Sequence, residues 1–320
     1  MKRRKFITVS AMSVPMISMF PANLSSITRV ISEGQIEKRT LGRTGEKLSM
    51  IGFGGIVVDK ATPEEAAARV KEAIDHGINY FDVAPSYGNA EEMLGPALQP
   101  YRKDVFLACK TGERKEKGAR KELEKSLKYL KTDYLDLYQL HAVTTMEDVW
   151  TLLNPGGALE VFLQAREEGK VRYLGFSAHS VEAAMTLMDA FDFDTILFPF
   201  NFATWYAGDF GPQVMEKAKE KEMGILALKA MAWRRWEEGE ERTNEKTWYK
   251  PLPNADEANK GLRFTLSHPV TAAIPPGHED LFSMALELAK DFQPMAEEEI
   301  REMKEKAMNT EPIFTYPMEA

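Results

Sequence analysis

Apolar residues in this chain gather into short runs, separated by longer stretches whose apolar positions recur with helical spacing. From about Gln35 onward the runs of strand length fall at 49–54, 80–84, 105–110, 135–141, 173–177, 195–199, 225–229 and 272–275. The stretches between them read as helices. Thr62-Pro63-Glu64-Glu65 supplies an N-cap, a proline for the first turn and early acids, and the run closes at His76-Gly77 with glycine in capping position. Residues 113–129 form a charged amphipathic segment, and 209–223 another, closed by Gly224.

Eight strands, each followed by a helix, predict a parallel sheet closed on itself, the (β/α)8 TIM barrel of the α/β class. A doubly wound open sheet is the alternative, and it is usually announced by G-x-G-x-x-G after the first strand. Here the first strand runs into Gly52-Phe53-Gly54-Gly55, which lacks that spacing and reads as a tight strand-to-loop turn. Three additions are expected. Residues 36–49, with Gly42 and Gly45 in their middle, form an N-terminal capping hairpin. Residues 232–254 are too long for a mere connection and read as a functional loop. Residues 294–308 form an extra C-terminal helix on the outside.

Composition narrows the class. The chain has 320 residues, 44% of them hydrophobic, and a single cysteine, Cys109. That is enough chain for a large core, and it leaves no intramolecular disulfide or thiolate-built metal site. By strand alternation Cys109 should face the helices. The formal net charge is -8, which argues against nucleic-acid binding. Five of the 41 basic residues lie within 1–32, which has no Asp or Glu, leaving 36 against 49 acidic residues in the rest.

Lys2-Arg3-Arg4-Lys5-Phe6-Ile7 and the uncharged stretch to Thr28 read as a signal segment over 1–32, ahead of a barrel over 33–320. The paired arginines resemble the twin-arginine export signal, implying the twin-arginine machinery as a partner and an exported or periplasmic location, with the cytoplasm as the alternative. Pro15, Pro21 and several hydroxyls interrupt the stretch, so a stable membrane span is not expected. Pro21-Ala22-Asn23 is only a loose match to a cleavage site.

Barrel enzymes carry their chemistry at the C-terminal ends of the strands. The second strand ends Phe81-Asp82-Val83-Ala84-Pro85-Ser86-Tyr87, the third Cys109-Lys110, and the fourth Gln139-Leu140-His141. A carboxylate and an ammonium on apolar strands each need an opposite charge, and Asp82 and Lys110 supply one another. With Tyr87 and His141 they make a proton-transfer site. The expectation is that Lys110 lowers the phenol's pKa below its ordinary value of about 10. Tyr87 then donates a proton to a carbonyl oxygen as hydride arrives, and His141 orients that oxygen or shares the proton. Alone, each of these residues is more commonly structural; the combination on three successive strand ends carries the reading.

Those residues sit in longer motifs: Gly52-Phe53-Gly54-Gly55, His76 through Gly88, Lys110, Asp133 through His141, and Gly169-Lys170-Val171-Arg172-Tyr173-Leu174-Gly175-Phe176-Ser177. In that order, from about Ile36 to Asn309, the chain resembles the aldo-keto reductases. The resemblance implies metal-free, NAD- or NADP-dependent interconversion of a carbonyl and an alcohol, with Tyr87 as proton donor supported by Lys110, Asp82 and His141. It also implies a cofactor site drawn from Gly54, Ser177, Asn201, Lys229 and Gly277. The sequence departs from the family there: Ala178 follows Ser177 where Asn is common, and Leu197 stands where Gln is common, with Asn201 as a substitute. Gly277 and the following helix N-terminus offer backbone N–H groups to a phosphate. Lys229 is read either as a contact to the pyrophosphate or as half of a structural ion pair.

The loop after the eighth strand carries Glu279 and Asp280 where NADP-preferring members usually place a cation, which favours NAD. Trp205 and Tyr206 after the sixth strand, and Trp233 with Arg234 in the long loop, are candidate substrate contacts for a small carbonyl or alcohol, a sugar among them. An exported reductase would have to fold around its dinucleotide and carry it tightly. Two other functions compete. A cofactor-binding barrel acting as a sensor with little turnover is disfavoured by the intact set of Asp82, Tyr87, Lys110 and His141. A metal-dependent hydrolase would need clustered ligands, whereas the five histidines are scattered at 76, 141, 179, 268 and 278.

Overall fold

Why this sequence closes a barrel is clearest from the inner and outer faces of its strands. A computed structural model describes residues 35–317; the basic segment read as a targeting signal lies outside the described residues. A hairpin of β1 (Lys38–Thr40) and β2 (Lys47–Ser49) leads into β3 (Phe53–Gly54), β4 (Tyr80–Asp82), β5 (Phe106–Thr111), β6 (Leu135–Val143), β7 (Val171–Ala178), β8 (Thr195–Pro199) and β9 (Gly224–Leu228). A second antiparallel hairpin, β10 (Ala232–Arg235) and β11 (Tyr249–Pro251), precedes β12 (Ala272–Ile274).

The strands β3 to β9 and β12 pair in parallel in chain order. The ring closes through Ile51 and Ala273: the Gly52 N–H donates to the Ala273 carbonyl at 2.9 Å, and the Ala273 N–H to that of Met50 at 2.9 Å. A doubly wound open sheet is thereby excluded.

Helices cover the outside in the order α1 (Pro63–Asp75), α2 (Ala90–Leu98), α3 (Glu116–Tyr129), α4 (Met146–Leu153), α5 (Ala158–Glu167), α6 (Val181–Ala190), α7 (Phe202–Tyr206), α8 (Pro212–Glu220), α9 (Ala255–Leu266), α10 (Glu279–Lys290) and α11 (Glu297–Met308). The start of α1 is a capping box: Thr62 Oγ1 accepts the Glu65 N–H at 3.2 Å, and Glu65 accepts the Thr62 N–H at 2.8 Å. Helix α3 begins at Glu116, three residues later than its pattern predicts, because the backbone before it pairs elsewhere. The Ala158 N–H donates to the Arg114 carbonyl and the Glu116 N–H to that of Gly156. Helix α8 likewise begins at Pro212, after Gly211 turns the chain at φ 132°. The connection from β6 to β7 holds two helices, α4 and α5, where the pattern of one helix per strand expects a single one.

Two apolar layers result. Outward residues of the strands pack on the helices, and Cys109 belongs to this layer, buried with its Sγ 3.4 Å from Glu91 on α2. Inside the barrel, Tyr80, Phe106, Leu137, Leu197 and Leu226 meet Leu41 and Leu48 of the first hairpin. That hairpin plugs the N-terminal end, and Arg43 secures it by donating to the carbonyls of Lys221 and Phe193 at 2.8 and 2.9 Å. With one end sealed by leucine, polar side chains on the inner face can emerge only at the other. Helix α11 lies outside the barrel, tied by Arg263–Glu299 and by burial of Met303 and Ala307. Among the described residues, no helix is long and apolar enough to cross a membrane.

Candidate active site

Strand alternation sends Asp82, Lys110 and Gln139 to the inner face, where they are 2%, 0% and 0% exposed. Burial of a charge is costly unless it is paired and hydrogen-bonded, and these groups meet both conditions. The Lys110 ammonium is salt-bridged to Asp82 Oδ1 and donates to the Val83 carbonyl at 3.2 Å. The second carboxylate oxygen accepts from Gln139 Nε2 at 2.9 Å and from the Tyr80 hydroxyl at 3.2 Å. Burial at Lys110 works against its charge, but Asp82 and Tyr87 together outweigh it, so the pKa is raised and the ammonium stays protonated.

Tyr87 follows in the loop after β4. Lys110 Nζ lies 5.1 Å from the centre of its ring, and the His141 ring meets it edge-on at 5.8 Å. The direction of its pKa differs from the expectation. Burial outweighs the attraction of Lys110 and, with the nearby Asp82, raises the phenol above its usual value. The hydroxyl is therefore held as a proton donor. His141 is pushed the other way, to about 3, by burial and by the neighbouring cations Lys110, Arg114 and Lys229. Its imidazole is neutral across the physiological range and can accept or donate a hydrogen bond without carrying charge; Nδ1 lies 3.4 Å from Ser86 Oγ. The end of β6 is braced from outside. Arg114 donates to the carbonyls of His141 and Ala142 at 2.8 and 3.2 Å and pairs with Asp148 at 2.9 Å.

These four residues share one wall of a cavity of about 220 Å³ at the open end of the barrel. Gly54, Ser177, Lys229 and Gly277 also line it. Ser177 Oγ accepts the Ala142 N–H at 2.8 Å. At Gly277 a Cβ would fall 1.9 Å from Ile56, so only a bare backbone fits that part of the cradle. With Gly54 and Ser177 in the same lining, this bare backbone fits a phosphate-bearing ligand such as a dinucleotide. Asn201 is not among the lining residues. It is buried and caps α7, accepting the Thr204 N–H at 2.9 Å.

Nor does the structure bring Trp205, Tyr206 or Trp233 to the cavity. Trp205 packs on Phe264 of α9 and on His268 just beyond it, Tyr206 on Phe264, and Trp233 under Arg234 and Lys250 in the second hairpin. The aromatic wall comes instead from Trp248 and Tyr249, preceded by Lys246 and Thr247. Lys229 sits 4.6 and 5.3 Å from the Tyr249 and Trp248 ring centres and has no carboxylate partner among the described residues, which removes its ion-pair reading.

The argument from charge for NAD also changes. Lys246 reaches Glu279 at 3.4 Å and Arg69 reaches it at 3.5 Å, so this acidic helix start is neutralised by cations distant in sequence. Gln139 and His179 were given no site role from the sequence, although alternation points to both: Gln139 lies two residues before His141 and His179 two after Ser177.

Comparison with known proteins places this geometry. The sequence profile of the Aldo/keto reductase family matches residues 50–308. A Bacillus subtilis protein described as the uncharacterized oxidoreductase YqkF is 26% identical over 300 residues, covering 84% of this chain and 96% of its own. Aldo-keto reductase AKR11C1 from Bacillus halodurans, in its holo form, superposes with a TM-score of 0.69 at 22% identity, over 88% of this chain and 98% of that one. An aldo/keto reductase from Klebsiella pneumoniae in complex with NADP and acetate gives 0.67 at 21% identity, over 89% and 99%.

Proposed function

Because this chain belongs to the aldo/keto reductase family, we propose that it interconverts a small-molecule carbonyl and the corresponding alcohol with a nicotinamide dinucleotide. One observation carries the reading: a protonated phenol, Tyr87, stands at a cavity wall beside a buried, carboxylate-anchored ammonium and a neutral imidazole. Binding alone requires no such set.

Bound, the dinucleotide supplies or takes up the hydride. Gly54, Ser177 and Gly277 line the cavity and would hold it. In reduction, the Tyr87 hydroxyl donates its proton to the carbonyl oxygen. Lys110 stabilises the phenolate that remains, and Asp82, held by Gln139 and Tyr80, fixes Lys110 in place. His141, kept neutral, hydrogen-bonds the same oxygen and fixes the substrate's orientation. In oxidation the phenolate takes the proton back.

NADP stands ahead of NAD in this proposal, since Lys246 and Arg69 offset Glu279 and one family structure holds NADP. Export through the twin-arginine route is proposed on Arg3-Arg4 alone; replacing both with lysine should retain a tagged chain in the cytoplasm if it holds. The test of the activity is reduction of an aldehyde panel with NADPH and with NADH by the wild type and Tyr87→Phe. Turnover by the wild type and its loss in the variant are expected. Absence of binding by either dinucleotide would overturn the proposal.

A further inference from the structure

The cavity holds a second polar pair that the proton-transfer chemistry does not use. Lys229 follows β9 in a left-handed conformation, φ 68°, and its side chain lines the cavity. Its ammonium rests against Tyr249 and Trp248 and meets no carboxylate among the described residues. Burial in this aromatic corner lowers its pKa to about 8. Close by, His179 follows β7, stacked on Phe314 with ring centres 5.2 Å apart. Its Nε2 is buried and has no hydrogen-bond partner. Two side chains able to donate are thus left unsatisfied at one place in a cavity whose single acidic lining residue, Asp82, is already engaged by Lys110, Gln139 and Tyr80.

An unpaired buried cation and an unpartnered buried ring nitrogen each carry a desolvation cost that an anionic ligand would remove. The planar aromatic faces beside them suit an oxyanion attached to a flat or short carbon frame. We propose that Lys229 and His179 bind a carboxylate on the substrate, so that the enzyme prefers carbonyl compounds bearing one over their neutral counterparts. This rests on the carbonyl chemistry proposed above. The other source of an oxyanion is the dinucleotide's own pyrophosphate. The substrate is favoured because His179 directly follows the strand next to that of His141, its backbone N–H donating to the Val143 carbonyl at 3.0 Å, at the end of the cavity where the carbonyl must sit. Gly277 lines the same cavity beside Ile56, in the stretch that follows β12.

The test uses pairs that differ only in charge: 4-carboxybenzaldehyde against methyl 4-formylbenzoate, and 4-oxobutanoate against its methyl ester. The wild type should favour the carboxylate member of at least one pair in kcat/KM. Lys229→Met should reduce that preference roughly tenfold, the worth of one charge-assisted hydrogen bond, and His179→Phe should reduce it less. Both variants should keep the dinucleotide Kd of the wild type, which also shows that they fold. No carboxylate preference in the wild type would overturn the inference. So would an unchanged preference in Lys229→Met alongside weakened dinucleotide binding, which would assign Lys229 to the pyrophosphate. Titration calorimetry with benzoate and benzamide on the dinucleotide-loaded protein reads the same site without turnover. Benzoate binding that Lys229→Met abolishes supports the inference even if the aldehydes are not reduced; no benzoate binding contradicts it.

Discussion

Replacing Lys110 by methionine separates what the buried ion pair does for folding from what it does for chemistry. The ammonium is fully buried and Asp82 is 2% exposed. Without Lys110, the carboxylate keeps only Gln139 at 2.9 Å and the Tyr80 hydroxyl at 3.2 Å. Two neutral donors do not replace a cation in such surroundings, and breaking a buried pair by removing one partner costs about 3–5 kcal/mol. The double variant Asp82→Asn/Lys110→Met leaves no buried charge behind. It should regain most of that loss, to within about 2 kcal/mol of the wild type, with a coupling energy of roughly 2–3 kcal/mol. Urea unfolding followed by circular dichroism measures the stability, and aldehyde reduction with NADPH measures the chemistry. Activity should stay about 10²–10³-fold down in both variants, because the phenolate loses its cation either way. If the single variant costs less than about 1 kcal/mol, or the double is no more stable than the single, the pair is not the buried anchor described.

Three further outcomes follow from the same geometry. Reduction should be independent of pH through neutrality and fall only above about pH 10, because burial raises the Tyr87 phenol and the protonated form is the donor; a pH profile of kcat checks this. His141 and His179, held at about 3 and about 4, are neutral when folded but take up protons in the unfolded chain below about 6.5. Stability should therefore be complete above that pH and decline as pH falls toward 4, by at most about 1.4 kcal/mol per unit and per histidine, as read from urea midpoints between pH 7 and 5. Gly277→Val would drive its Cβ into Ile56 and cover the backbone there; dinucleotide Kd, read by fluorescence titration, should rise about tenfold or more with the fold intact.

The barrel was legible because strand length, helical spacing and capping residues all agree along the chain, as at Thr62–Glu65 and Gly77. Asp82 and Lys110 were legible for a related reason: charge on an apolar strand demands a partner. The cavity's far wall was not. Trp205 and Trp248 both lie in connections between barrel strands, and only tertiary packing sends one to α9 and the other to the cavity. The ties of Lys246 and Arg69 to Glu279 join residues far apart in sequence, so local charge counting at Glu279 and Asp280 misjudged the electrostatics. The Tyr87 pKa was misread because proximity to Lys110 could be inferred from sequence and the depth of burial opposing it could not.

The central claim, that Tyr87 is the proton donor, is tested most directly by single-turnover reduction of an aldehyde by the NADPH-loaded enzyme, comparing the wild type with Tyr87→Phe. Loss of a positioned general acid should slow the chemical step about 10²–10⁴-fold while the dinucleotide Kd stays within about twofold. Equal single-turnover rates in the two proteins would contradict the assignment.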